Sequence, residues 1–310
     1  MVTDSETMQS GIQFLQRRLH NLRIRDDDAL HAVWLEFDYS GRPCFSTALL
    51  EDIRAAQNTI RQTAQVQHAR GDENRLQFQV LASTDSRVFS LGGDLTYFIQ
   101  LIETEDRDKL MEYATTCIDM QFASVQHYDI PFTTIALVEG EALGGGFEAA
   151  LSNNVLVAEE SARFGFPEIN FGMFPGMGAI SLLTRKIAPA MARRLIMDRR
   201  VHTAEELYDM GVVDVLAADG EGRAAVRTYI QRHRAIAPGL YGFQAAVDRT
   251  TPLSYSELYD VVEHWVEAAL QLSDKNRRLM AYFARAQDTR QGRTAEPARN
   301  AHPSRKTDLP

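Results

Sequence analysis

The chain has 310 residues, 45% hydrophobic and 24% charged, with two cysteines. These values fit a globular protein and exclude collagen-like, disordered and disulfide-scaffold classes, while the length allows one large α/β domain or two smaller ones. Acidic side chains number 42 against 33 Lys and Arg, a formal charge of −9, which argues against capture of nucleic acid or an anionic membrane; an anionic ligand needs a local basic patch.

No run reaches the roughly 18 apolar residues of a membrane span, and the start, MVTDSETMQSGIQF, lacks the basic-then-apolar order of a secretory signal. A cytoplasmic location is therefore expected. Cys44 and Cys117 show no CxxC or His-Cys spacing and read as reduced, buried thiols.

Residues 1–28 form a polar arm in which Arg17, Arg18, Arg23 and Arg25 precede Asp26, Asp27 and Asp28. A helix from Ile12 to Ile24 would align Phe14, Leu15, Leu19 and Leu22, giving either a solvated amphipathic arm or an anion-binding patch for a coenzyme phosphate or an acidic carrier protein. His31 to Tyr39 alternates as a strand, and Ser46 or Thr47 can cap a helix over Ala48 to Gln65 with Glu51 in its first turn. A second strand follows at Leu76 to Ser83, then a loop from Arg87 to Asp94 and a long helical stretch from Leu95 to Tyr128.

Phe132 to Gly140 reads as a buried strand; after it a glycine turn enters a short helix, and Asn154 to Glu160 is a further strand. Ser161 to Gly178 carries too many Gly, Pro and aromatic residues for a regular element. Helices are expected at Met177–Ile187, Pro189–Met197 and Thr203–Met210, the last with Glu206 completing a capping box, before a final strand in GVVDVLAADG. The chain then reads as helical to about Ala286, with Gln291 to Pro310 an expected disordered tail. Alternating strands and helices indicate an α/β fold.

Gly144-Gly145-Gly146-Phe147-Glu148 places glycines between a buried strand and a helix, where a ligand can approach first-turn N–H groups that lack intrahelical partners. Such a terminus suits a carbonyl that gains negative charge. The spacing is not that of the phosphate-binding GxGxxG loop. Glycines for tight packing around a paired buried acid remain the plain alternative. A second strand-to-helix junction, Phe89-Ser90-Leu91-Gly92-Gly93-Asp94, can expose another N–H, and two such junctions can aim two amides at one oxygen. Glu168, twenty residues after Glu148, lies among Phe164, Phe166, Phe171, Phe174 and Met177. A carboxylate there is costly unless it is paired or functional, and two glutamates across a substrate suit general acid–base work.

Gly93-Asp94, EGEALGGGFE, FGFPEINFGMFPGMG and TAEELYDMGVVDVL, in that order, resemble the crotonase (enoyl-CoA hydratase/isomerase) superfamily over residues 30 to 225. Within it FSLGGDL, ALGGGFEAALS, FPGMGA, RPCFSTALLEDI and the extended N-terminus are most similar to the synthases of diffusible signal factor, bacterial enzymes that make cis-2-unsaturated fatty acid signals. The resemblance implies a spiral of ββα units: arm 1–28, core 29–225, helical trimerisation region 226–288 and tail 289–310. It implies oxyanion N–H groups at Gly93 and Gly145, catalytic Glu148 and Glu168, and a substrate pocket with Leu91, Gly92, Leu143, Gly144, Phe171, Met173, Phe174 and Trp265.

It further implies an acyl carrier protein or CoA thioester as substrate, no metal or redox cofactor, and a homotrimer or dimer of trimers. In such synthases the glutamates dehydrate a 3-hydroxyacyl thioester and then hydrolyse it; an enoyl-CoA hydratase of fatty-acid degradation and a non-catalytic partner-binding scaffold are the alternatives. Where hydratases carry Ala-Gly-Ala-Asp this chain has Leu91-Gly92-Gly93-Asp94, which implies a looser amide. Arg163, Arg185 and Lys186 suit either phosphate contact or surface solubility, and His202 a surface or satisfied position. Leu258, Val261, Val262, Trp265, Ala268, Ala269 and Leu272 form a helical stripe expected at a subunit contact.

Overall fold

The computed structural model describes residues 15–72 and 75–291. The expected tail beyond Gln291 and the beginning of the arm, with Ile12 and Phe14, lie outside them.

Two sheets organise the chain. The larger contains β1 (Leu22–Asp27), β2 (Ala32–Phe37), β3 (Phe78–Ser83), β5 (Thr133–Val138), β7 (Val155–Glu159) and β10 (Val215–Ala217) in that spatial order, all parallel except the β1–β2 pair. Its central strands are buried along their whole length, so they read as nearly continuous apolar runs. Strand alternation splits these side chains between two cores. Val33, Leu35 and Phe37 of β2, with Ala136 and Val138 of β5, join the main core. Trp34, Phe78, Ile135 and Leu137 form a second core with Val226 and Ile230 of α8 (Gly222–Arg234) on the opposite face.

Leu22, Ile24 and Asp27 are the buried positions of β1, which pairs antiparallel with β2. The helix expected through Ile24 is thus replaced at its C-terminal end by a strand, because Leu22-Arg23-Ile24-Arg25 also alternates with period two and β2 offers a free edge. Arg23 is then paired with Asp38 at 2.8 Å, and Arg25 lies over the Trp34 ring. Two of the four arm arginines are occupied within the fold, which removes them from the anion patch.

The smaller sheet runs β4 (Val88–Ser90), β6 (Glu141–Leu143), β8 (Arg163–Gly165) and β9 (His202–Thr203), the first three parallel. Its register aligns Ser90 with Ala142 and Ala142 with Phe164. The segments that leave the carboxyl ends of these three strands therefore emerge side by side.

Helices α1 (Thr47–Arg70), α2 (Leu95–Glu103) and α3 (Arg107–Val125) cover the main core, with Ser46, Asp94 and Asp106 as side-chain N-caps. The stretch expected as one helix from Leu95 to Tyr128 breaks at Glu105, whose φ is +52°, so Asp106 starts a new helix. Glu51 falls just beyond the first turn of α1, because Ser46 as the cap starts the helix at Thr47, one residue earlier than expected. After α4 (Gly145–Leu151), the helices α5 (Ala179–Lys186), α6 (Pro189–Met197) and α7 (Ala204–Asp209) follow; the Thr203–Glu206 capping box of α7 is present.

The C-terminal helices are α9 (Ala237–Thr250), α10 (Tyr255–Leu270) and α11 (Asp274–Gln291). Leu258, Val262, Trp265, Ala269 and Leu272 are buried within the same chain, with α10 packed along α3. Five of the seven residues of the stripe are therefore buried inside the chain against α3, while Val261 and Ala268 stay partly exposed. Exposed apolar surface lies instead on and beside α9, at Ile236, Phe243 and Val247. Among the described residues no helix is long and apolar enough to cross a membrane.

Candidate active site

The side-by-side strand ends of the smaller sheet build the site. Three residues beyond Ser90 lies Gly93, three beyond Ala142 lies Gly145, and four beyond Phe164 lies Glu168. A Cβ on Gly145 would sit 3.5 Å from the Gly93 nitrogen, and one on Gly92 would sit 3.0 Å from the Gly145 nitrogen. Gly92 has φ +88°. Only glycine satisfies both the backbone angle and the approach. Neither the Gly93 N–H nor the Gly145 N–H donates to an acceptor among the described residues. Two free amides from different strands therefore stand together, as the geometry for a developing oxyanion requires.

The Gly93 that replaces an alanine of the hydratase pattern has a steric cause. A methyl there would lie 2.6 Å from the Phe98 ring, which stands edge-on to Tyr113 and to Trp265. The ring occupies the space of the missing methyl, so the loop is not looser for lacking it.

Glu148 is on the first turns of α4, 1% exposed, and its Oε1 accepts from the Met177 N–H at 2.8 Å and the Ala179 N–H at 3.1 Å. Burial pushes its carboxyl up to about 7, against the pull of those two donors. Glu168 sits in a 3-10 turn, Pro167–Phe171, and its Oε2 is buried with no hydrogen-bond partner among the described residues. Burial, and then the neighbouring Glu148 charge, push it up to about 8. The Met177 and Ala179 donors hold Glu148 down, and the two carboxyls, coupled through the Glu148 charge, titrate as a pair above the ordinary carboxylate range. Gly144, with φ +53°, makes room for this carboxyl: a Cβ there would be 2.2 Å from Glu168 Oε1.

Both glutamates, Gly93 and Gly145 open onto one cavity. Phe171, Met173 and Trp265 line it as expected, but Leu91, Gly92, Leu143, Gly144 and Phe174 do not. Gly92 and Gly144 instead hold the backbone turns, and Leu143 lies within β6. The cavity extends past the glutamates between Leu50 and Ile53 of α1, Phe37 and Met120, to a polar wall of Gln57, Gln79 and Ser124. There Gln57 donates to Ser124 Oγ at 3.2 Å and the Tyr128 hydroxyl donates to Gln79 at 2.7 Å. Apolar walls with a few placed polar groups are the composition of a small-molecule site.

Cys117 lines this cavity, and burial raises its thiol far above the ordinary value, with the Glu148 charge adding to it; Cys44 is buried and pushed up to about 12. Neither is a thiolate near neutrality, so thiol nucleophilicity is not on offer. Arg163 donates to the carbonyls of Glu160, Ser161 and Ala162, Arg185 is bidentate to Glu257, and Lys186 pairs with Asp214. These cations are used within the chain. His202 is not at the surface: it is 2% exposed in β9, away from the cavity lining. The Met177 and Ala179 N–H groups had no sequence signal, because backbone donors carry no residue identity.

A family model described as enoyl-CoA hydratase/isomerase matches residues 54–296. The α subunit of the fatty acid oxidation complex of Pseudomonas savastanoi pv. phaseolicola is 31% identical over 206 residues, covering 64% of this chain but only 26% of that subunit. A probable enoyl-CoA hydratase of Bacillus subtilis is 31% identical over 140 residues, 45% of this chain and 52% of the relative. The chain thus spans about a quarter of the length of the first of these relatives and half of the second. Among solved structures, the enoyl-CoA hydratase of Bacillus halodurans superposes with a TM-score of 0.71 at 18% identity, over 85% of this chain and 100% of that one. The Pseudomonas aeruginosa DspI structure gives 0.57 at 19% identity, over 85% and 96%. The spiral α/β fold is that of the crotonases, and the chain belongs to the enoyl-CoA hydratase/isomerase family.

Proposed function

We propose that the protein removes water from a 3-hydroxyacyl thioester and then hydrolyses the thioester, as a synthase of a cis-2-unsaturated fatty acid signal. The observation that carries the chemistry is the convergence of two buried carboxyls and two unbonded N–H groups on one apolar cavity. The thioester oxygen lies between Gly93 N–H and Gly145 N–H. Glu168 takes the α-proton, Glu148 gives a proton to the departing hydroxyl, the Cβ–O bond breaks and the Cα–Cβ double bond forms. For release, a water that loses its proton to a carboxylate of the pair attacks the carbonyl, the C–S bond breaks, and the carboxyl so protonated returns a proton to the departing sulfur, leaving free acid and thiol.

The signal-factor reading rests on the motifs of residues 89–95, 142–152 and 174–179 and on the apolar lining of the cavity beyond the glutamates, which suits an acyl tail. A carrier protein or coenzyme A supplies the thiol. On this reading residues 29–225 form the thioester-handling core, and the region 226–288 joins copies into a trimer or a dimer of trimers through the apolar surface of α9.

A second reading, hydration of an enoyl-CoA in fatty-acid degradation, is favoured by the family match and by the likeness to a fatty acid oxidation subunit. Glu168 then protonates Cα while Glu148 takes a proton from water. Incubation with 3-hydroxydodecanoyl carrier protein, with mass spectrometry of the free acids, separates the two. A free cis-2 acid supports the synthase; rapid turnover of crotonyl-CoA with no free acid supports the hydratase and sinks the synthase.

A further inference from the structure

Three successive carbonyls in the loop that carries Gly93 are each held by a donor. Gly92 O accepts from the Phe45 N–H at 2.8 Å, while Leu91 O and Gly93 O both accept from one side-chain nitrogen, Gln287 Nε2, at 3.0 Å each. The Gly93 N–H belongs to the middle peptide of the three, so its direction is set once the planes on either side are fixed. Gln287 spans those two flanking planes from 194 and 196 residues away.

We propose that Gln287, by holding the peptide planes on either side of the one that Phe45 fixes, is a positioning residue for the oxyanion site, which makes the C-terminal helix α11 a working part of the active site. The inference rests on the reading of Gly93 N–H as an oxyanion donor. Packing alone does not explain the residue. Gln287 is 4% exposed, and its Oε1 is buried without a hydrogen-bond partner among the described residues, an unfavourable arrangement that a leucine of similar size avoids. The next residue, Asp288, lies 3.5 Å from Arg42, which also pairs with Asp94 at 3.1 Å at the end of the same loop. The helix thus grips the loop twice, and it packs as well against the 3-10 turn that bears Glu168. One element holds both halves of the site.

The test uses the full chain with Gln287→Leu, which fills the space but cannot donate, and Gln287→Glu, which keeps the shape. With crotonyl-CoA, Gln287→Leu should lower kcat by about 10- to 100-fold, with KM within about threefold and the chain still folded at the assay temperature. The enolate absorbance of bound acetoacetyl-CoA should fall with it, since the oxyanion donors stabilise that enolate without turnover. In Gln287→Glu a neutral carboxyl can donate to one carbonyl and a charged one repels both, so its activity relative to the parent should fall further as pH rises, a trend absent from Gln287→Leu. Parental kcat and enolate signal in Gln287→Leu, or a loss matched by an equal drop in stability, overturns the inference. If the parent neither binds nor turns over either CoA thioester, the same kinetic comparison is made with 3-hydroxydodecanoyl carrier protein; if that too is left unchanged the thioester reading fails, and hydrogen exchange of the segment 88–94 then decides, faster exchange in Gln287→Leu supporting the positioning role and unchanged exchange overturning it.

Discussion

Two glutamates differ in their surroundings by two backbone hydrogen bonds, and that difference orders their chemistry. Glu148 has its Oε1 fixed by Met177 and Ala179, whereas Glu168 has an orphan Oε2. Glu148→Gln and Glu168→Gln should each lower kcat by about 10²- to 10⁴-fold while the chain stays folded, measured by steady-state kinetics and circular dichroism. Because elimination needs one carboxylate and one carboxylic acid, the rate should follow a bell with limbs near pH 7 and 8; a flat profile across that range contradicts the assignment. The same shifts act on stability. Both folded-state values are raised above the ordinary 4.5, so between 4.5 and the raised values the folded chain holds protons that the unfolded chain releases, and stability falls as pH rises. Glu168→Gln should therefore raise Tm at pH 8, on the order of 5 °C, and leave it nearly unchanged at pH 4. Thermal melts of the two proteins at both pH values check this.

At the level of elements, the site exists because three short parallel strands end in register. Gly144 is the joint at which this shows most directly, for its φ of +53° and the Glu168 carboxyl beside it both exclude a side chain. Gly144→Ala should cost at least tenfold in kcat, together with a lower Tm. Gly71→Ala, at φ +70° with open space around it, should lower Tm alone. Comparing kcat and Tm for both variants separates displacement of the carboxyl from backbone strain. Much of this level was legible in sequence: caps at Ser46 and Thr203, and the punctuation by Pro189, are local signals that the fold obeys. What escaped depended on partners far along the chain. The alternation in Leu22–Asp27 becomes a strand only because β2 has an open edge, and the stripe on α10 meets α3 rather than a neighbour. Gln287 lies one residue beyond the span that periodicity marked as helical, and nothing near it betrays a partner at Leu91.

For the whole molecule, ordered motifs located Gly93, Gly145, Glu148 and Glu168, and the structure brings these four onto one cavity. Sequence neighbours of those residues were a poorer guide, since Leu91, Leu143 and Phe174 face elsewhere, and the far wall from α1 and β3 has no motif of its own. The charge of −9 also reads differently, because Arg23, Arg185 and Lys186 are paired with acids of the same chain and are not a reserve for an anionic partner. The outward apolar residues of α9, with Phe243 66% exposed, are where association between copies is expected. Phe243→Glu should shift the sedimentation coefficient toward that of a monomer; an unchanged value places the contact elsewhere. The division of the chain into two sheets has a further consequence. The six-stranded sheet supplies burial while the ends of the small sheet supply the reacting groups. The strands of the two sheets alternate along the gene, yet mutations that alter durability and mutations that alter turnover fall largely on different strands, and a lineage can change one without first surrendering the other.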